Sequence, residues 1–338
     1  MKIVPCGQDA RVPSPSTTRL LFRISSNTPL DSRLSGGLSS KKMEILPQLI
    51  VNALIAGSLY ALVSFGLSLN YGLLRILHFA HGHFLMVGAY FFYLSWREWN
   101  QGLGFSLLFS LIVITLLSVV TLRVFVMPFL RFSVFLVFIT TMALGVILES
   151  AISIYFGVNV KSLHRGALME SFNLWGVYIT PIQLLIIFVS LSLLGLAAWL
   201  LHSSPIGRRI NAIRQHTHAA QGLGLSVSRI SYCVFILGSV LATISGIFIG
   251  FETNLTPTMG ATYTIKAFAV MILGGLGNLW GTVLGAYLLA LVENLSIGLS
   301  FWGYSLPAGY KDAFAFLTIL LVLLLKPAGL FSRSNRAV

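Results

Sequence analysis

The stretch that organises this chain is residues 203–230, which read SSPIGRRINAIRQHTHAAQGLGLSVSRI. It interrupts an otherwise apolar sequence between two hydrophobic spans, Ile182 to Leu201 and Ile230 to Gly250. Each span has about the 20 residues that a helix needs to cross a bilayer. The polar, basic stretch between them is therefore predicted to be a loop outside the membrane.

The loop itself has the pattern of two short helices lying on a surface. Its isoleucines follow helical spacing, at Ile206, Ile210 and Ile213. Its arginines fall beside that stripe, at Arg208, Arg209 and Arg214. Thr217 is a predicted N-cap for a second helix that Gly222 and Gly224 can end. The alternative is a basic connector that only fixes orientation, as in many membrane proteins.

The composition excludes a soluble globular protein. Of the 338 residues, 56% are hydrophobic and 9% charged, and the mean hydropathy is +0.88. So little polar surface predicts an all-α polytopic membrane protein. The net charge of +13 could suggest nucleic-acid binding, but positive charge beside membrane spans usually reports topology.

Apolar segments of membrane length predict about eight transmembrane helices, at 48–70, 78–96, 105–127, 134–156, 181–201, 230–251, 279–298 and 313–326. A further apolar stretch, 263–275, is too short to cross. It ends in Gly274-Gly275-Leu276-Gly277-Asn278, where the backbone can bend. We therefore expect a broken or re-entrant helix that returns with the 279–298 span and lines protein or a wet cavity.

The distribution of charge predicts the orientation. With 203–230 in the cytoplasm, the inner side has no acidic residue and carries Arg75, Arg123, Arg131, Arg208, Arg209, Arg214, Arg229, Lys326, Arg333 and Arg336. Basic and acidic residues mix on the outer side, at Arg97, Lys161, Arg165, Lys266, Lys311, Glu44, Glu98, Glu170, Glu252 and Asp312. This asymmetry favours a multi-pass membrane protein with a cytoplasmic C-terminus.

Residues 1–42 differ from everything that follows. They contain seven basic residues, two acidic ones and many serines, which predicts a disordered basic extension. Such a tail resembles an organellar transit peptide, but Met43 is a natural start for the transmembrane domain 43–338. We expect Met43 to be the initiator and the tail to be a dispensable or non-native extension.

The loop resembles the cytoplasmic loop of importer permeases of the ATP-binding-cassette class, whose pattern is close to Glu-Ala-Ala-x-x-x-Gly. Here His218-Ala219-Ala220-Gln221-Gly222-Leu223-Gly224 follows Gly207-Arg208-Arg209. The acidic residue of the pattern is replaced by His218, which forfeits its favourable interaction with the helix dipole. The resemblance implies an ATPase-coupling loop formed by Gly207, Arg208, Arg214, His218, Ala219, Ala220 and Gly224.

Further motifs resemble the branched-chain amino acid permeases of that class. Phe79-Ala80-His81-Gly82 is the most distinctive, although the family usually has asparagine at the position of His78. Later matches are Lys266-Ala267-Phe268, the 274–278 glycine run, Gly309-Tyr310-Lys311-Asp312-Ala313 and Lys326-Pro327-Ala328-Gly329-Leu330-Phe331. The resemblance covers residues 45–332.

This resemblance implies a permease subunit of the bacterial inner (plasma) membrane that imports branched-chain amino acids, or urea or short amides. Its implied partners are a second homologous permease, two ATP-binding-cassette ATPases and an external solute-binding protein. The binding protein is expected to dock on the outer loop 157–180, through Lys161, Arg165 and Glu170. No cofactor is expected in this chain, because its partners would bind ATP.

Several residues within the spans are candidates for the translocation pathway. We predict that it includes Asn52, Ser58, Glu293, Asn294, Gly274, Gly275 and Gly277, since polar groups inside a membrane usually face a bundle interior or a pathway. Glu293 fits a pathway role and a structural role equally well, whereas Glu149 favours a structural one. His78, His81 and His83 are interpreted as a packed motif at a cytoplasmic helix break rather than a metal site.

Two other classes of function remain open. An ion-coupled secondary transporter would use Glu149 or Glu293 as a proton carrier, and an intramembrane enzyme would use the histidines. No phosphate-binding loop of the Gly-x-x-x-x-Gly-Lys-Ser/Thr type occurs, and no nucleophile with a base at recognisable spacing is evident. The chain is therefore predicted to be a transport subunit without an ATPase site of its own.

Overall fold

The protein is built almost entirely of helices. The computed structural model describes residues 31–163, 170–174, 176–298 and 308–331. The helices are α1 (Asp31–Leu74), α2 (His81–Tyr93), α3 (Leu103–Thr121), α4 (Met127–Leu130), α5 (Val134–Phe156), α6 (Pro181–Ser203), α7 (Pro205–Gln215), α8 (Thr217–Gly222), α9 (Val227–Glu252), α10 (Met259–Gly274), α11 (Leu279–Gly298) and α12 (Lys311–Leu325). Strands β1 (Phe172–Leu174) and β2 (Val177–Ile179) form an antiparallel hairpin.

The chain divides into two compact units, Met1–Met43 and Glu44–Val338. Residues 1–30 lie outside the described residues, and α1 begins at Asp31 within the segment predicted to be a tail. The proposal that translation starts at Met43 stays a prediction.

The all-α membrane fold is confirmed, and the lengths of the helices refine it. Within the described ranges, six helices are long and apolar enough to cross a membrane: 46–74, 103–130, 134–156, 181–203, 227–252 and 279–296. The other predicted spans are shorter helices. The 78–96 segment is helical only from His81, where α2 begins and continues as a π-helical turn over Leu94–Glu98, and the last span is the 15-residue α12.

Helices α1, α2 and α9 cross very closely at small residues. A Cβ on Gly66 of α1 would lie 2.6 Å from the Gly238 carbonyl of α9. Gly88 of α2 packs in the same way on Thr243, and Ser245 donates to the Leu59 carbonyl at 2.9 Å. Close backbone approach of this kind drives helix association where lipid removes the hydrophobic driving force.

The chain turns back into the protein after α1. Arg75 has φ of 52°, and residues 75–80 are not helical. His81, at the start of α2, contacts the Val63 carbonyl at 3.1 Å, eleven residues before the end of α1 and about 16 Å up its axis. The histidine break was predicted at the cytoplasmic edge, and this prediction is wrong. Residues 75–80 run back along α1, so the break lies beside the middle of that helix.

The second break lies between α10 and α11 and confirms the predicted half-length helix. Gly275 and Gly277 have φ of 100° and 77°, a region that glycine adopts without steric cost. Asn278 caps α11 by accepting from the Gly281 N–H at 3.2 Å. The C-terminal segment folds over this bend, where Leu330 N–H donates to the Leu273 carbonyl at 2.9 Å.

We expect Gly238→Val to destabilise the protein, because the new methyl groups would meet the backbone of Gly66. Overpacking costs about 1–3 kcal/mol, and the melting temperature of purified protein in detergent measures it. Gly195→Val on α6 is the matched control, since nothing lies within 4 Å of a Cβ there. Equal melting temperatures for the two variants would contradict the close crossing.

Candidate functional site

The 203–230 loop forms two short helices that lie against the helical bundle. Ser204 caps α7 by accepting from the Gly207 N–H at 3.1 Å, and Gly207 packs directly on the Leu201 carbonyl. Ile210, Ile213 and Ala220 are 3%, 1% and 3% exposed. The predicted isoleucine stripe is therefore buried at Ile210 and Ile213.

The opposite face of this helix pair is open. Ile206 belongs to the predicted stripe but is 51% exposed, and Leu223 is 82% exposed. Arg208, His218 and Ala219 are also exposed. His216, not Thr217, is the N-cap of α8, while Gly224 ends the motif with φ of 79°, as predicted.

Arg214 does not lie on the open face. Its guanidinium reaches into the protein and donates to the Gly277 carbonyl at 2.6 Å. A Cβ on Gly72 of α1 would lie 3.0–3.1 Å from the same guanidinium, so only a glycine leaves this space. Burial lowers the pKa of Arg214 from its usual value, yet arginine stays protonated near neutral pH. Arg214 thus connects α7 to the α10–α11 bend and to the end of α1.

A cluster of charged side chains surrounds Glu293 of α11. Its fully buried carboxylate accepts from the Tyr60 hydroxyl at 2.8 Å and pairs with Lys266 at 3.2 Å and Lys311 at 3.8 Å. Lys266 also pairs with Asp312 at 2.8 Å. These contacts join α1, α10, α11 and α12, and favour the structural of the two interpretations of Glu293.

The residues predicted for the pathway do not form one site. Ser58 contacts the Tyr287 hydroxyl at 2.9 Å, so it lies with Glu293 along the contact of α1 with α11. Asn52 accepts from Gln48, and Asn294 donates to the Ala290 carbonyl of its own helix. The three glycines lie apart from these, at the bend that Arg214 contacts: Gly274, Gly275 and Gly277.

The histidine motif is packed between helices. His78 is fully buried against the rings of Phe84 and Phe235, with centroids 5.2 and 4.8 Å away. His83 pairs with Glu149 of α5 at 3.4 Å, which gives Glu149 the structural partner that was expected. In the part of the chain that the structure describes, no three His, Cys, Asp or Glu residues form a group that could hold a metal ion.

The β1–β2 hairpin is held at the opposite end of the bundle from α7 and α8. The Gln48 side chain pairs with both backbone polar groups of Tyr178, at 2.8 and 3.1 Å. Lys161 pairs with Leu255 through backbone hydrogen bonds of 2.8 and 2.9 Å. Glu170 is exposed, and Arg165 lies outside the described residues.

Comparison with known proteins gives a family match over most of the chain. Residues 49–323 match the family described as the permease component of the branched-chain amino acid transport system. The chain belongs to that family. It is 28% identical over 300 residues to the high-affinity branched-chain amino acid transport system permease protein LivH of Salmonella typhimurium, and equally to BraD of Pseudomonas aeruginosa. Each alignment covers 85% of this chain and 95% of the relative.

Two further similarities are more distant. The autoinducer 2 import system permease protein LsrC of Klebsiella pneumoniae is 32% identical over 142 residues, covering 40% of each chain. The solved PsaBC from Streptococcus pneumoniae in complex with Fab has a TM-score of 0.48 at 12% identity, covering 88% of this chain and 96% of that chain.

For this branched-chain amino acid permease, sequence reasoning missed the partners of Glu293. The sequence predicts only outer-side charges at Lys266, Lys311 and Asp312, and it indicates no role for Tyr60. A signal existed, because Lys266 and Lys311-Asp312 lie in the motifs that carry the family resemblance. Nothing in their spacing shows that they meet, since they come from separate helices.

We expect Glu293→Gln to destabilise the protein strongly, because two lysines would lose their buried anion. Breaking a buried ion pair costs about 3–5 kcal/mol, so the melting temperature in detergent should fall by several degrees. Glu98→Gln removes an exposed carboxylate and is the control. A Glu293→Gln protein as stable as this control would show that the cluster does not hold the helices together.

Proposed function

We propose that this chain is the membrane-spanning subunit of an ATP-driven importer that translocates branched-chain amino acids. The α7–α8 pair is the observation that supports this proposal. In a member of this permease family, the pair packs by one face on the bundle and exposes Ile206, Ala219 and Leu223 on the other. An exposed apolar patch with a rigid support is typical of a protein interface. The open face of α7–α8 would bind an ATPase subunit.

The complete importer would contain a second homologous permease, two ATPase subunits and an external solute-binding protein. The excess of arginine around α7–α8 supports a cytoplasmic position for this loop and for the C-terminus. The hairpin, Lys161 and Glu170 would then face outward, where the binding protein delivers the solute; Arg165, also predicted for this docking surface, lies outside the described residues. Urea or a short amide is the alternative solute.

Arg214 would transmit the movement of the ATPases. It joins α7 to Gly277 and Gly72, so a displacement of α7 pulls on both the α10–α11 bend and the end of α1. We therefore assign Gly207, Arg208, His218, Ala219, Ala220 and Gly224 to the coupling loop, as the sequence predicted, but give Arg214 an inward role.

Leu223→Asp should abolish uptake, because a carboxylate on the open face cannot be buried against the ATPase without a large desolvation cost. Uptake of radiolabelled leucine into proteoliposomes that hold the complete transporter, with co-purification of the ATPase, measures this effect. Phe132→Asp changes another side chain that is 80% exposed, in the turn before α5, and is the matched control. Normal ATPase binding and ATP-dependent uptake by Leu223→Asp would reject the docking face.

Arg214→Gln should separate ATP hydrolysis from transport. The shorter neutral side chain loses the charge-assisted bond to Gly277, worth about 1.5–3 kcal/mol, while the open face keeps its ATPase contacts. We expect the ATPase to co-purify and hydrolyse ATP at rates close to those of the unaltered complex, with leucine uptake reduced at least tenfold. Arg208→Gln, at an exposed arginine of the same helix, is a comparison for the loss of charge. Parallel loss of hydrolysis and ATPase binding in Arg214→Gln would indicate a docking role instead.

A further inference from the structure

The charged cluster around Glu293 has a buried half and an open half. Glu293 is 0% exposed and the Lys266 side chain 12% exposed. The Lys311 and Asp312 side chains, in contrast, are 30% and 52% exposed. The cluster therefore exposes one cation, Lys311, and one anion, Asp312. Each pairs with a buried member of the cluster, Glu293 and Lys266 respectively.

These two exposed groups, Lys311 and Asp312, lie too deep to be ordinary surface charges. Helix α12 has 15 residues from Lys311 to Leu325, which places its start about 20 Å above its other end. That other end lies at the α10–α11 bend, where Leu330 pairs with Leu273. Tyr60, which donates to Glu293, lies midway along the apolar 46–74 span. The cluster is therefore expected near the middle of that span, and not at the outer edge where the sequence placed Lys266, Lys311 and Asp312.

Charged groups at this depth do not face lipid and instead mark a wet cavity or a pathway. The face of α12 that carries Asp312 therefore borders water or protein in the assembled transporter. The same face carries apolar side chains at the next two turns, Phe316 and Leu320, which are 45% and 56% exposed. Residues four apart are neighbours on a helix surface, so a charged pair is followed directly by an apolar strip.

We propose that Lys311 and Asp312 bind the charged end of a zwitterionic amino acid during translocation. The Lys311 ammonium takes the α-carboxylate, the Asp312 carboxylate takes the α-ammonium, and the apolar side chain of the solute lies along Phe316 and Leu320. This inference rests on the proposed function and names the recognition site within it. Lys266 and Glu293 are positioning residues that hold the pair.

The balance of charge favours a zwitterion over other solutes. Two cations and two anions make the cluster neutral, so an anionic or cationic solute would leave one charge unpaired. Asp312 can exchange Lys266 for the ammonium of the solute because one charge-assisted contact replaces another, while Lys266 keeps Glu293 as its partner at 3.2 Å. An uncharged amide would gain nothing from either group.

The test uses the complete transporter in proteoliposomes, with radiolabelled leucine delivered by its binding protein. Asp312→Asn and Lys311→Met should each lower the uptake rate about tenfold or more, the loss expected for one charge-assisted hydrogen bond. ATP hydrolysis and melting temperature should stay close to those of the unaltered complex. Lys326→Met is the matched control, because it removes a lysine from the other end of the same helix.

Two results would overturn the inference. Leucine uptake by both variants at the rate of the Lys326→Met control would show that the pair does not contact the solute. Loss of uptake accompanied by a fall in melting temperature as large as that of Glu293→Gln would show a purely structural pair. The proposed function fails in a separate way, which is leucine uptake by the unaltered transporter without ATP.

Discussion

Backbone polar groups inside a bilayer must find hydrogen-bond partners within the protein, and this constraint shapes the two breaks of the fold. At the first break, the Gly82 N–H donates to the Thr264 hydroxyl at 3.1 Å, and the same hydroxyl lies 3.3 Å from the Phe79 carbonyl. At the second, Asn278 bonds Gly281 and the Phe331 carbonyl. Irregular backbone is tolerated at this depth because it is covered by protein.

The two breaks are also connected to each other and to the α7–α8 pair. Helix α10 runs from the first break, where Gly260 packs on His83, to the second, where Gly277 accepts from Arg214. A 16-residue helix spans about 24 Å, so α10 is a short rigid element with a glycine contact at each end. Movement of α7 can therefore reach the middle of the bundle through one helix.

The ion pairs show how charge is accommodated in an apolar fold. Glu293 and Lys266 are buried but mutually neutralised, which avoids the large cost of an isolated charge. Glu149 of α5 lies 3.4 Å from the imidazole of His83 in α2. Lys311 and Asp312 differ because they remain partly exposed while each pairs with a buried member of the cluster, Glu293 and Lys266.

The pattern of neighbouring residues in the sequence determined where most of the helices and turns lie. Hydropathy was enough for the long helices and for the half-length α10, since a membrane span is recognised by length and apolar composition alone. The glycine-rich bend and the α7–α8 pair were also predicted, because turn residues and helical spacing are properties of neighbouring residues.

Tertiary structure decided where those elements meet. The isoleucine stripe did not show that Ile206 faces outward, and the arginine spacing did not show that Arg214 turns inward to Gly277. The position of the histidine break depends on how residues 75–80 return along α1, and the partners of Glu293 come from three other helices. Such contacts join residues up to 233 positions apart, and helical periodicity carries no information on packing between helices so distant in sequence.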